Sequence, residues 1–168
     1  TLVGGLKATF VADYMHTIII FVVILTFVAA VYINSDITGG VEGMYNKLVA
    51  AADIRPIEGN AAGAFLTMAS IGGLMFGIIN IVGNFGTVFV DQAYWQRAIA
   101  ARPSSTVKGF LLGGACWFAI PFTLATTMGL TAVALDVDLT PEQVQLGLVV
   151  PAAASVLMGE VGAILVLT

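Results

Sequence analysis

Asn80 and Asn84 are amide side chains inside residues 61–90, a run of thirty that contains no Asp, Glu, Lys, Arg or His. An amide carries hydrogen-bond donors and an acceptor, so this pair suits a small polar solute. At about 100° per residue, one helix face would also hold four further small or polar residues: Gly73, Gly77, Thr87 and Asp91. Such a face predicts a helix that lines a polar path, or one whose asparagines bond across a close helix contact. The sequence leaves both open.

Four glycines give this run two further interpretations. Gly83 and Gly86 enclose Asn84 in a Gly-Asn-Phe-Gly segment, where an unwound helix would add free backbone carbonyls to the solute path. Gly73 and Gly77 are one helical turn apart, which suits close packing against a neighbouring helix.

A polar cluster follows the run: Asp91, Gln92, Gln96 and Arg97. These residues could form a gate network that holds the inner side of a transport path shut, or they could belong to an ordinary interfacial loop. Tyr94 and Trp95 within the cluster suit membrane-interface anchors as well as they suit ligands.

Asp13, His16 and Thr17 are spaced i, i+3 and i+4, so they share a helix face near the start of the first apolar run. An acidic residue beside a histidine in a membrane helix is a candidate for proton coupling or for tuning an inner gate. The alternative is a hydrogen-bonded pair that packs against a neighbouring helix end.

Nothing in the sequence predicts an enzyme. There is one histidine and one cysteine, Cys116, so no catalytic residue, metal site or cofactor is expected. The formal charge of −4 forms no basic patch, which argues against nucleic acid as a partner.

The composition places these residues in a lipid bilayer. The chain is 59% hydrophobic with a mean hydropathy of +1.01, and 10% is charged, against about 25% in soluble domains. A bilayer core takes roughly 20 helical residues. We therefore predict an all-α integral membrane protein with full spans at 8–33, 61–90 and 109–135, and a fourth span that begins at 160–168. The first residue is not Met and the last lies in an apolar run, so we expect an internal piece of a longer chain.

Charges in the connecting segments predict the orientation. The segment 91–108 has three basic residues and one acidic, 34–60 has two basic and four acidic, and 136–159 has three acidic and none basic. By the positive-inside rule, 91–108 is the cytoplasmic loop and the other two are outer loops. Within the outer loops we expect a short helix near 45–52 and a capping box that begins at Thr140.

Several motifs resemble the sodium/solute symporter superfamily. They are Gly-Gly-Leu-Lys-Ala at 4–8 before Asp13, the Asp-Gln…Gln-Arg…Ala-x-Ala-Ala pattern at 91–101, and the segments 80–92 and 151–159. Within the superfamily the chain is most similar to the urea active transporters (urea–proton symporters) of fungi and plants. Val11 and His16 replace a Tyr and a Gln of the sugar symporters, which weighs against a sugar substrate.

The resemblance implies a LeuT-type inverted-repeat fold, with this chain spanning the end of one repeat and the start of the next. It also implies uptake of urea at the plasma membrane coupled to H⁺ or Na⁺, with the rest of the same transporter chain as partner. A passive urea or small-solute channel and a structural helical subunit of a membrane enzyme complex are the alternatives. The superfamily's sodium-site hydroxyls would lie beyond Thr168.

Overall fold

The computed structural model describes residues 4–33 and 35–167, and over these ranges the chain is helical with short connections. Asn34, where the first outer loop was predicted to begin, and Thr168, which the fourth span was predicted to include and to continue beyond, lie outside the described residues. The helices are α1 (Gly5–Val28), α2 (Ser35–Thr38), α3 (Gly40–Ile54), α4 (Ile71–Val90), α5 (Gln92–Ala100), α6 (Pro103–Leu124), α7 (Leu130–Ala134), α8 (Pro141–Gln145) and α9 (Val149–Leu167). A first π-turn (Ala29–Ile33) follows α1, and a second π-turn (Ala125–Gly129) joins α6 to α7.

Four helical stretches within the described residues are long and apolar enough to cross a bilayer: Gly5–Ile33, Ile71–Val90, Pro103–Ala134 and Val149–Leu167. The helix content and these four apolar helices confirm the prediction of an all-α integral membrane protein. The helix near 45–52 is present as the longer α3, and the Thr140 capping box is formed, with Gln143 as its reciprocal partner.

The chain forms two compact units, of which the first combines Thr1–Ala51 with Ala119–Thr168. Its core is made where the two π-turns and α9 pack together. The buried apolar side chains are Ile24, Phe27, Val31, Met44, Leu48, Ala51, Met128, Ala132, Ala153, Ala154 and Leu157. The Tyr32 hydroxyl donates to the backbone carbonyl of Thr126, 3.1 Å away, which links one π-turn to the other.

The second unit, Ala52–Phe118, contains α4 and α5. Helix α4 begins at Ile71, later than the 61–90 span predicted from the sequence, and this corrects the start of that helix. Ala62 and Gly63 have left-handed backbone (φ 54° and 66°), which interrupts a helix. Ser70 then caps α4 by accepting a hydrogen bond from the Gly73 N–H at 3.0 Å.

The predicted unwinding between Gly83 and Gly86 is wrong, because α4 is a continuous α-helix from Ile71 to Val90. The Thr87 hydroxyl donates to the Gly83 carbonyl at 2.9 Å, and the Asp91 N–H donates to the Thr87 carbonyl at 3.1 Å. The Gly83 carbonyl thus already accepts a hydrogen bond from within α4. The chain leaves the helix at Asp91 instead, with φ −80° and ψ 108°.

Helix α9 is interrupted at Gly159, whose φ of 59° and ψ of −137° are non-helical. The fourth span was predicted to begin at 160, directly after this interruption. The bend brings the buried Gly162 against the backbone of the preceding half of the helix. A Cβ atom at Gly162 would overlap the Ala154 carbonyl, which is backbone and cannot rotate away.

We predict that Gly162→Ala destabilises the protein by about 1–3 kcal/mol, because the added methyl forces a backbone shift in a packed region. The measurement is thermal unfolding of the whole protein in detergent, where the midpoint should fall. Gly113→Ala is the matched control, since a Cβ atom there meets no described heavy atom within 4 Å. Equal midpoints for Gly162→Ala and Gly113→Ala would contradict the overlap.

Candidate functional site

The polar face of α4 carries two asparagines that are bonded to each other along the helix. Asn80 Nδ2 donates to the Phe76 carbonyl at 2.9 Å, and Asn84 Nδ2 donates to Asn80 Oδ1 at 3.3 Å. Asn84 is exposed and Asn80 is half-buried. No described residue donates to the amide oxygen of Asn84, and its use as an acceptor for a solute with N–H groups stays a prediction.

The glycines on and beside this face have few close neighbours among the described residues. A Cβ atom built on Gly77, Gly83 or Gly86 would meet no described heavy atom within 4 Å. At Gly73 the nearest atoms belong to the capping side chain of Ser70. Helix packing through Gly73 and Gly77 therefore stays a prediction, as does a substrate path past Asn80, Asn84, Gly83 and Gly86.

Asp91 forms an elbow between α4 and α5, because it ends one helix and begins the next. Its carboxylate accepts a hydrogen bond from the Ala93 N–H at 2.8 Å, as an N-cap does. Gln92 and Gln96 are exposed, and Arg97 is half-buried. The four polar side chains thus lie at the elbow or along the helix α5 that follows it, and their role as a gate stays a prediction.

Trp95 contributes a contact that the sequence reasoning missed. Its indole Nε1 donates to the Phe89 carbonyl at 3.0 Å, which joins α5 to the last turn of α4. Its ring also lies edge-on to the ring of Phe89, with ring centroids 6.4 Å apart. The Phe89 ring in turn contacts the Phe85 ring, with centroids 4.9 Å apart. The aspartate after an apolar run was the available signal for this elbow, since Asp is a preferred N-cap.

Asp13, His16 and Thr17 lie on α1 in the first unit. The Thr17 hydroxyl donates to the backbone carbonyl of Asp13 at 2.7 Å, so the shared helix face is present but this hydroxyl is used by the backbone. Asp13 is half-buried and His16 is exposed. Their part in coupling or gating stays a prediction. Within the described residues, no three His, Cys, Asp or Glu side chains cluster as a metal site would require.

Comparison with known proteins finds close relatives of one kind. The chain is 52% identical to the urea-proton symporter DUR3 of Oryza sativa subsp. japonica, over 100% of this chain and 25% of that protein. It is 48% identical to the probable urea active transporter 1 of Schizosaccharomyces pombe, over 97% of this chain and 26% of that protein. The urea active transporter of Saccharomyces cerevisiae is 43% identical over 98% of this chain and 24% of that protein. This chain is a homologue of the urea active transporters.

The chain spans about a quarter of the length of these urea transporter relatives. No family model matches it, and no solved structure matches it. The resemblance seen in the motifs is thereby confirmed for the urea active transporters. The relatives are named as transporters, and none of these three names describes an enzyme.

Proposed function

We propose that the whole protein takes up urea across the plasma membrane by symport with protons or sodium ions. The observation that carries this proposal is the 52% identity, over the full chain, to a protein named as a urea-proton symporter. The names "symporter" and "active transporter" favour coupled transport over a passive channel or a structural subunit.

The face of α4 supplies the chemistry that this function needs. Urea offers N–H donors and one carbonyl acceptor, and the free amide oxygen of Asn84 complements the donors. The open glycine positions beside the asparagines leave room for a small solute. In this proposal Asn80 and Asn84 bind urea, and Gly83 and Gly86 keep the path free of side chains.

The remaining candidate residues would control access and coupling within a LeuT-type fold. Asp91, Gln92, Gln96 and Arg97 would close the cytoplasmic side, since they lie at the end of α4 and along the helix α5 that follows it. Asp13 and His16 would tune protonation or the inner gate. Coupling then arises because the ion stabilises one conformation and urea binds that conformation better.

The test is uptake of labelled urea by the whole protein in liposomes with imposed gradients. We expect accumulation above equilibrium when a proton or a sodium gradient points inward, and none when both gradients are collapsed. Urea flux that is equal under all gradients would overturn symport and leave a passive channel.

Proton coupling through α1 has its own prediction. If His16 and Asp13 take part, urea currents should change between about pH 5 and pH 8, and His16→Gln should flatten that dependence. Tyr14→Phe is the control, because Tyr14 is an exposed residue of the same helix outside the Asp13–His16 face. Currents with no pH dependence in the unmutated protein would remove both residues from the mechanism.

A further inference from the structure

The elbow between α4 and α5 is held by contacts within the elbow. Neither α4 nor α5 has a buried residue, although the structure describes every residue of both helices. Within the part of the chain that the structure describes, the contacts that join α5 to α4 are therefore local hydrogen bonds and ring contacts.

Three hydrogen bonds cross or cap this elbow. The Asp91 N–H bonds to Thr87 and the Asp91 carboxylate accepts from Ala93, which fixes the two helix ends. The third bond, from the Trp95 indole to the Phe89 carbonyl, runs from α5 back to α4. Because the last carbonyls of a helix lack intrahelical partners, this bond satisfies a group that the end of α4 leaves open.

Aromatic contacts extend the same connection on both sides. Phe85, Phe89 and Trp95 form a continuous row of rings that crosses the elbow. The neighbouring Tyr94 contacts Phe110 of α6, with ring centroids 6.4 Å apart. Trp95 of α5 thus contacts α4, and the adjacent Tyr94 contacts α6.

The hydrogen bond also separates Trp95 from an ordinary interface anchor. An anchoring tryptophan turns its indole N–H toward water or headgroups. Here that N–H is used inside the chain, although the side chain is 50% exposed.

We infer that Trp95 is a positioning residue, which fixes the asparagine face of α4 relative to the Asp91–Arg97 cluster so that the two move as one piece. This inference rests on the proposed transport function for its effect on uptake, but its structural content does not. The hydrogen bond and the ring contact of Trp95 are with Phe89, which is nine residues after Asn80 and so on the opposite side of α4. Losing its bond should therefore slow the conformational step and leave urea affinity unchanged.

The first measurement is the distance between spin labels at Leu74 on α4 and Ile99 on α5, in the whole protein with its native cysteines replaced. Trp95→Phe keeps an aromatic ring and removes the N–H donor, and we expect a broader distance distribution. Trp117→Phe is the matched control, because Trp117 is exposed and its indole makes no hydrogen bond within the described residues. An unchanged distribution in Trp95→Phe would overturn the inference whatever the protein transports.

The second measurement is urea uptake by the same variants without labels. We expect Trp95→Phe to lower the maximal rate by about fivefold or more with KM changed by less than about twofold, and Trp95→His, which keeps an N–H donor, to recover part of the rate. A broadened distance with an unchanged maximal rate would overturn the coupling between elbow and transport. If the unmutated protein moves no urea, the transport proposal fails and the distances alone decide the role of Trp95.

Discussion

Asn84→Leu is expected to lower the kcat/KM of urea uptake by roughly 10- to 100-fold. The substitution removes the amide oxygen that no described residue occupies, so a bound urea would leave an N–H group unpaired. One unsatisfied hydrogen-bonding group costs about 1–3 kcal/mol, and the middle of that range, about 1.4–2.7 kcal/mol, corresponds to a 10- to 100-fold effect. The measurement is initial uptake of labelled urea against concentration in cells that lack other urea transporters.

Val82→Leu is the matched control for Asn84→Leu. Val82 is 71% exposed on α4, two residues before Asn84 and so on roughly the opposite side of the helix. Its uptake should equal that of the unmutated protein, and both variants should reach the membrane in equal amounts. Normal kcat/KM in Asn84→Leu would remove this face from the solute path.

Asp91 has two possible contributions, its helix cap and its negative charge, and two substitutions separate them. Asn caps a helix about as well as Asp, so Asp91→Asn should keep the bond from Ala93 and lose the negative charge. If the charge closes a gate, uptake falls by about tenfold or more, since hydrogen bonds to charged groups are worth about 1.5–3 kcal/mol. Unfolding temperature should be unchanged.

Asp91→Ala removes the cap as well as the charge, and it should also destabilise the protein by about 0.5–2 kcal/mol. The two variants are compared by urea uptake and by thermal unfolding of the whole protein in detergent. Normal uptake in Asp91→Asn together with low uptake in Asp91→Ala would mean that Asp91 acts only through the elbow, and the gate network would be wrong.

The apolar runs predicted the helices well because length and hydropathy are properties of the local sequence. The capping box at Thr140 was predictable for the same reason, since its two partners are three residues apart. The start of α4 was not, because the left-handed backbone at Ala62 depends on how residues 59–71 bond to each other. An uncharged run therefore predicted a bilayer-compatible segment but overestimated the helix inside it.

The sequence predicted which site residues share one helix face, but it did not predict where the helix backbone breaks. Helical spacing placed Asn80 and Asn84 together, and the structure has them bonded. The glycines around Asn84 suggested unwinding, yet glycine permits a break without requiring one. The helix ends at Asp91 instead, and the Asp91 side chain caps the start of α5. The Trp95 indole stabilises this elbow by donating a hydrogen bond to the Phe89 carbonyl, six residues earlier in the chain.

The first compact unit is built from two separated parts of the chain, Thr1–Ala51 and Ala119–Thr168. A ribosome must synthesise all of Ala52–Phe118 between them, which at 5–20 residues per second takes on the order of several seconds. During that delay Phe27 and Val31, which end up buried, have not yet met α9 or the second π-turn. In the nascent chain those side chains consequently have to be shielded by other contacts, such as lipid, until α9 has been synthesised.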